Sequence, residues 1–167
     1  MSKVRIEPLT KEAFAPFGEV IEAEGSSWYP INAGTTERYH RLATVESAGP
    51  NPIVGISIFR GDGFQFPVHL SVLERHPIGS QAFFPVSGSD YLVVVAEGGS
   101  GDKPDLGTLR AFMAKPTQGV NYRSGTWHHP LLCLEREGDF LVVDRVDGVP
   151  NCDEVPLDVQ LAIEKEG

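Results

Sequence analysis

The stretch Leu73–Gly88, L-E-R-H-P-I-G-S-Q-A-F-F-P-V-S-G, decides how the rest of the chain is read. Glu74 and His76 stand two apart, so on an extended backbone both side chains leave the same face. Pro77-Ile78-Gly79 then supplies a turn, and Gln81 follows five residues after His76. From Gln81 to Val86 the aromatic run reads as a strand that ends in a Ser-Gly-Ser-Asp turn at 87–90. A carboxylate, an imidazole and an amide therefore bracket one tight turn between two extended segments.

Working outward, short extended segments are read at Val4–Leu9, Gly18–Glu22, Val54–Arg60, Tyr91–Ala96, Leu109–Ala114, Trp127–Leu134 and Phe140–Arg145. Between them lie turn clusters: GDG at 61–63, EGGSGDKPD at 97–105 and REGD at 136–139. Thr10 caps a brief helix through Phe14, which Pro16 stops. The tail after Pro156, LDVQLAIEKEG, carries Leu157, Leu161 and Glu164 at helical spacing and reads as a second helix. No repeat and no linker is evident, so residues 1–167 are read as a single domain. Short strands at regular spacing, without βα alternation, predict an all-β barrel or jelly roll with short helices at the termini.

Composition sets the outer limits. The 167 residues carry 14 basic against 23 acidic side chains, a formal net charge of -9, with 18 Gly and 13 Pro. Such a balance argues against nucleic acid or an anionic membrane as partner, because a phosphate backbone seeks a basic face. A local cationic pocket for a small anion is still allowed. Cys133 and Cys152 have no metal or redox spacing and read as free thiols in a reducing compartment. The first residues, MSKVRIEPLT, lack the apolar run of a signal peptide, and no window offers the ~20 apolar residues of a membrane helix. The expectation is a cytoplasmic protein.

Five histidines are present. His40 lies in a polar segment and reads as solvated. His69 sits in an apolar stretch and reads as a partly buried, satisfied ring. His129 should face away from His128 if both share a strand. Trp127 reads as a pocket wall, as core or as a dimer-interface residue. The remaining pair carries a pattern: Glu74-x-His76-x4-Gln81-x6-Gly88 resembles the first cupin motif, H-x-H-x4-E-x6-G, with Glu74 and Gln81 substituted. Arg123-Ser124-Gly125-Thr126-Trp127-His128 resembles the second, P-x-G-x2-H, with Arg123 for the proline and Leu132 where the motif goes on to an asparagine. The two in order imply a cupin-like double-stranded β-helix. At the matching positions Glu74, His76, Gln81 and His128 offer two imidazoles, a carboxylate and an amide oxygen, a set suited to a divalent ion or, without one, to acid–base chemistry.

Longer stretches carry a narrower likeness: INAGTTERYH at 31–40, LERHPIGSQAFFPV at 73–86, DKPDLGTLRAF at 102–112, GVNYRSGTWHHPL at 119–131, DFLVVDR at 139–145 and NCD at 151–153. In these the chain resembles the ureidoglycolate lyases, formerly called ureidoglycolate hydrolases, of allantoin breakdown. The resemblance implies a homodimeric cupin-like barrel that releases urea from ureidoglycolate and leaves glyoxylate, with nickel or another divalent ion as cofactor. His76 and His128 are then candidates for base and acid, Glu74 for orienting them or completing a metal site, and Gln81 for ligating the metal or bonding the ureido group. A substrate carboxylate calls for a guanidinium fork, for which Arg38, Arg110, Arg123 and Arg145 are candidates. Two other readings compete: a metal cupin of different chemistry, such as an isomerase or dioxygenase, and a non-catalytic module binding a small carboxylate.

Overall fold

The structure is a computed structural model that describes residues 2–165. The chain begins with β1 (Ser2–Val4), β2 (Ile6–Pro8), one helical turn α1 (Lys11–Phe14) and β3 (Gly18–Ile21). A hairpin of β4 (Tyr29–Ile31) and β5 (Thr36–Arg38) follows, then β6 (Val54–Gly61), β7 (Gly63–Phe64), β8 (Val68–Arg75) and β9 (Gln81–Pro85). The remainder is β10 (Tyr91–Ala96), β11 (Arg110–Ala114), β12 (Gly119–Tyr122), β13 (Trp127–His128), β14 (Leu132–Leu134), β15 (Gly138–Arg145) and β16 (Asp153–Ile163).

Two curled sheets result. One runs β1-β16-β8-β13-β10-β11-β2, with β14 beside β10 and β7 beside β14; the other runs β3-β12-β9-β15-β6. The space between them is filled by Phe83, Val120, Phe140 and Val142 from the five-stranded sheet and by Tyr91, Val93, Val95 and Phe112 from its partner. Tyr91 meets Phe140 edge-on at 4.9 Å, and each such side chain contributes ~1.5–3 kcal/mol by leaving water. Leu92 and Val94 on the other face of β10 join a second apolar cluster with Val68, Leu70, Leu132 and Ile163. Burial on both faces explains why YLVVVA is an unbroken apolar run. This is the mostly-β barrel expected from the turn spacing, with the curled sheets of the cupin-like form that the motif resemblance implies.

Thr10 caps α1 as expected, its hydroxyl accepting the Ala13 N–H at 3.2 Å, and Phe14 is fully buried against Phe112. The C-terminal helix is not formed. Asp153–Ile163 is instead a strand, antiparallel to β8 and parallel to β1; Glu166 and Gly167 lie outside the described residues. Leu157 and Leu161, four apart, share one face of a strand as readily as one face of a helix, so their spacing does not tell the two apart. The register against β8 shifts between Pro156 and Leu161, and Leu161-Ala162-Ile163 is buried as strand. The extended reading of Trp127–Leu134 splits into β13 and β14 around Pro130, which cannot donate to a ladder. β8, β12 and the β4–β5 hairpin were not marked by alternation. Among the described residues no helix is long and apolar enough to cross a membrane.

Gly18 pairs with Tyr122, and a Cβ there would stand 1.8 Å from the Asn121 carbonyl oxygen. Gly18→Ala must therefore push β3 off β12. We expect a loss of ~1–3 kcal/mol or more in urea unfolding; an unchanged midpoint would show that the edge can move without cost.

Candidate active site

The inward positions of the five-stranded sheet change character toward one end of the barrel. Val142 and Phe83 are paired neighbours in the core, and so are Val120 and Phe83. Two residues along each strand, on the same face by the period of a strand, stand Asp144, Gln81 and Tyr122. The opposite sheet contributes Glu74 and His128, which are register partners on β8 and β13. His76 follows β8 directly, in the turn that carries the chain across to β9. Polar side chains from both sheets thus meet where the apolar core ends.

Glu74 Oε1 lies 3.3 Å from His128 Nε2 and 3.9 Å from His76 Nε2. His76 Nε2 is 3.1 Å from Gln81 Oε1. Each ring is tied by its other nitrogen to a backbone carbonyl: His76 Nδ1 to Asn151 at 2.7 Å and His128 Nδ1 to Thr126 at 3.0 Å. The Nδ1 atoms must therefore carry hydrogen, and the two Nε2 atoms face inward. The Tyr122 ring stacks on His128 at 4.0 Å and 8° between planes, fixing its orientation. Burial, and then the charge of Glu74, pushes the Tyr122 phenol well above its ordinary range. For Glu74 itself burial acts to raise the pKa. The close approach of the His128 ring, and the charges of His128 and His76, outweigh it and hold the carboxyl below the ordinary range.

The four sequence candidates Glu74, His76, Gln81 and His128 are thus brought to one point, and the first, second and fourth are grouped as metal-ligand atoms. With both rings neutral, every atom they aim at that point accepts. His128 Nε2 is buried and lacks a hydrogen-bond partner, and Gln81 turns its oxygen inward because its nitrogen donates to Asp144 at 2.9 Å. Acceptors converging without a donor require a positive centre between them, either a proton or a cation. The donor set, two imidazole nitrogens with two oxygens, suits a divalent metal, and the carbonyl-anchored Nδ1 atoms are the outer support such ligands need.

The four arginines do not converge there. Arg110 belongs to the same cross-strand row as Val95, His128 and Glu74, yet its fork is taken by Glu7 at 2.8 and 2.9 Å and by the Ala13 carbonyl. Arg145 is buried and bound to Asp147 and the Ala48 carbonyl. Arg123 is exposed and, among the described residues, reaches the Ala15 carbonyl alone, at 3.5 Å. Arg38 is exposed on the β4–β5 hairpin, and no ion pair to it is formed among the described residues.

Other expectations shift in detail. His69 is exposed instead of partly buried, because it occupies the outward phase of β8. Trp127 is core, packed with Leu73 and Ala96 beneath the Arg75 guanidinium. His129 is buried, and β13 ends at His128, so strand alternation does not reach it; burial lowers its pKa while the nearby charge of Glu74 raises it. Cys133 is buried, and Cys152 is exposed with its thiol 3.9 Å from Glu74 Oε2. Sequence reasoning missed Asp144, Tyr122 and Asn151. For Asp144 a signal existed: Phe140, Val142 and Asp144 share one face of a strand that was correctly read.

The family model described as ureidoglycolate lyase matches residues 1–164. A curated ureidoglycolate lyase from Pseudomonas paraeruginosa is 56% identical over 154 residues, spanning 92% of this chain and 90% of its own. The chain belongs to the ureidoglycolate lyase family. Further members with that name, from Pseudomonas entomophila and Stutzerimonas stutzeri, are each 55% identical over 92% of this chain, covering 91% and 89% of theirs.

Proposed function

We propose that this protein is a ureidoglycolate lyase that eliminates urea from ureidoglycolate to give glyoxylate, with Glu74, His76, Gln81 and His128 as its site. The observation that carries this reading is the convergence of those four side chains in a chain of this family. Elimination removes the hydroxyl proton of the substrate, forms the aldehyde carbonyl as the C–N bond breaks, and returns a proton to the departing ureido nitrogen. The two imidazole Nε2 atoms lie within 3.9 Å of one carboxylate oxygen. A proton taken up in this cluster can therefore be passed within it and given back to the leaving group. The Gln81 oxygen can accept a ureido N–H, and the Tyr122 ring keeps solvent from the back of His128. Glu74, His76, Gln81 and His128 would also hold a divalent ion, nickel being the one the family resemblance implies. Such an ion supplies Lewis acidity for the developing oxyanion.

None of the four candidate arginines reaches the cluster. Arg38 and Arg123 are the exposed ones that, among the described residues, form no ion pair, so of the four they are the ones free to move toward a substrate carboxylate. The elimination releases urea and glyoxylate in equal amounts, with no ammonia. Ammonia instead of urea would mean hydrolysis of the ureido group, and turnover of neither would leave the binding-module reading.

We further propose that the protein acts in the cytoplasm as one domain and as a homodimer. β6 is an edge strand of the five-stranded sheet, and Ile56 and Ile58 on it are 74% and 57% exposed. Ile58, Leu141 and Phe84 are consecutive register partners across β6, β15 and β9, so the apolar side chains form one patch with Val54 beside it. Monomers seldom leave more than ~300–600 Å² of contiguous apolar surface in water. The patch is uncharged on a chain of net charge -9, so the contact that avoids mutual repulsion is the patch with itself about a two-fold axis. Light scattering should give twice the 18.2 kDa chain mass. Ile56→Lys with Ile58→Lys should give a folded monomer; a monomeric wild type would refute the dimer.

A further inference from the structure

We propose that Asp144 is a positioning residue that determines which end of the Gln81 amide faces the site. This rests on the reading of the cluster given above. An amide presents an oxygen and an NH2 of almost equal shape. Facing Gln81 are only acceptors: His76 Nε2, and behind it Glu74 Oε1 and His128 Nε2. Left alone, the amide would turn its NH2 toward them, and Gln81 would become a donor. Asp144 prevents this. Its Oδ2 accepts the Gln81 Nε2–H at 2.9 Å, a charge-assisted bond stronger than a neutral one, and Oε1 is left 3.1 Å from His76 Nε2.

The position of Asp144 is dictated by the fold. Val143 is the register partner of Ala82 across β15 and β9, so Asp144 lies beside Gln81, on the face that Val142 and Phe83 line further down. Its neighbour Arg145 is directed away, to Asp147. Asp144 therefore spends its charge on the amide. The outcome is a site that is rich in acceptors yet carries one carboxylate in its inner layer, with the second negative charge held one hydrogen bond behind. An acceptor-only pocket is disfavoured until a cation enters it, so the Asp144–Gln81 bond sets the site up for a positive guest before that guest arrives.

Calorimetric titration with nickel tests this on the full chain. Asp144→Leu frees the amide to turn and should weaken nickel binding ~10–100-fold, the usual cost of losing an outer-layer partner. Asp144→Asn keeps an oxygen that can accept from Gln81 and should cost only a few fold. Gln81→Glu places two carboxylates against each other and should bind poorly. Adding Asp144→Asn to Gln81→Glu reverses the direction of the hydrogen bond, since the new amide donates to the new carboxylate, and should restore nickel binding to within a few fold of wild type. A merely structural role predicts no such rescue. Nickel affinity unchanged in Asp144→Leu, or a double variant no better than Gln81→Glu alone, overturns the proposal. If Asp144→Leu does not fold, by circular dichroism, the pair with and without Asp144→Asn decides. If the wild type takes up no nickel, the metal reading fails by itself. The positioning claim is then judged on the substrate, where the double variant must recover KM relative to Gln81→Glu alone.

Discussion

His128→Ala is expected to lower kcat on ureidoglycolate ~100–10,000-fold, the range over which positioned acid–base groups act. The side chain is almost wholly buried, and its ring is held on three sides: by the Tyr122 stack, by the Thr126 carbonyl and by Glu74. A nitrogen so fixed has no freedom to serve solvent or surface, and its Nε2 has no hydrogen-bond partner to satisfy it. Truncation also leaves a space beside the Tyr122 ring, so stability must be measured alongside. His128→Asn fills more of that space and separates the two effects. It should fold close to wild type and still be inactive. Activity within tenfold of wild type in a folded His128→Asn protein would remove His128 from the chemistry.

Glu74→Gln is expected to abolish divalent-ion binding, weakening it by more than ~100-fold, beyond the usual effect of an outer-layer change, and to lower kcat by a similar factor. Among the described residues Glu74 is the one carboxylate in contact with both histidines, and the rings hold it in its charged form against the effect of burial. The neutral amide keeps the shape but loses the charge, and its NH2 can donate to His128 Nε2, satisfying the atom that is now left open. The variant should therefore fold normally and be no less stable than wild type to urea. Nickel affinity unaltered by Glu74→Gln would show that the cluster is not the ion site, whatever its role in proton transfer.

The turn from β8 to β9 was legible because its chemistry is local: Glu74, His76 and Gln81 lie within eight residues, and strand periodicity plus a Pro-Gly turn suffices to bring them together. His128 was legible only through its motif, since its pairing with Glu74 crosses the barrel. The arginines show the opposite case. Nothing near Arg110 in the sequence announces Glu7, its partner 103 positions away, and a guanidinium already paired looks the same in a sequence as a free one. The C-terminal strand was misread because leucines four apart, Leu157 and Leu161, share a face of a strand as well as of a helix, and its pairing with β8 is long-range and leaves no local mark. β12, only four residues long and opening on a glycine, has too little alternation to register, and Tyr122 was lost with it. Asp144 was overlooked because an Asp-Arg pair at a strand end reads as surface charge. On an inward phase shared with Phe140 and Val142 it is part of the site.

If urea is eliminated at this one cluster, crystals soaked in nickel and glyoxylate, with diffraction data collected at the nickel edge, should show a single strong anomalous peak between Glu74, His76, Gln81 and His128. The peak should lie roughly 2.0–2.2 Å from the two Nε2 atoms if nickel follows the spacing usual for first-row ions, with the glyoxylate beside it. A peak at Cys152 and Glu154 instead, or glyoxylate bound away from the cluster, would place the chemistry elsewhere.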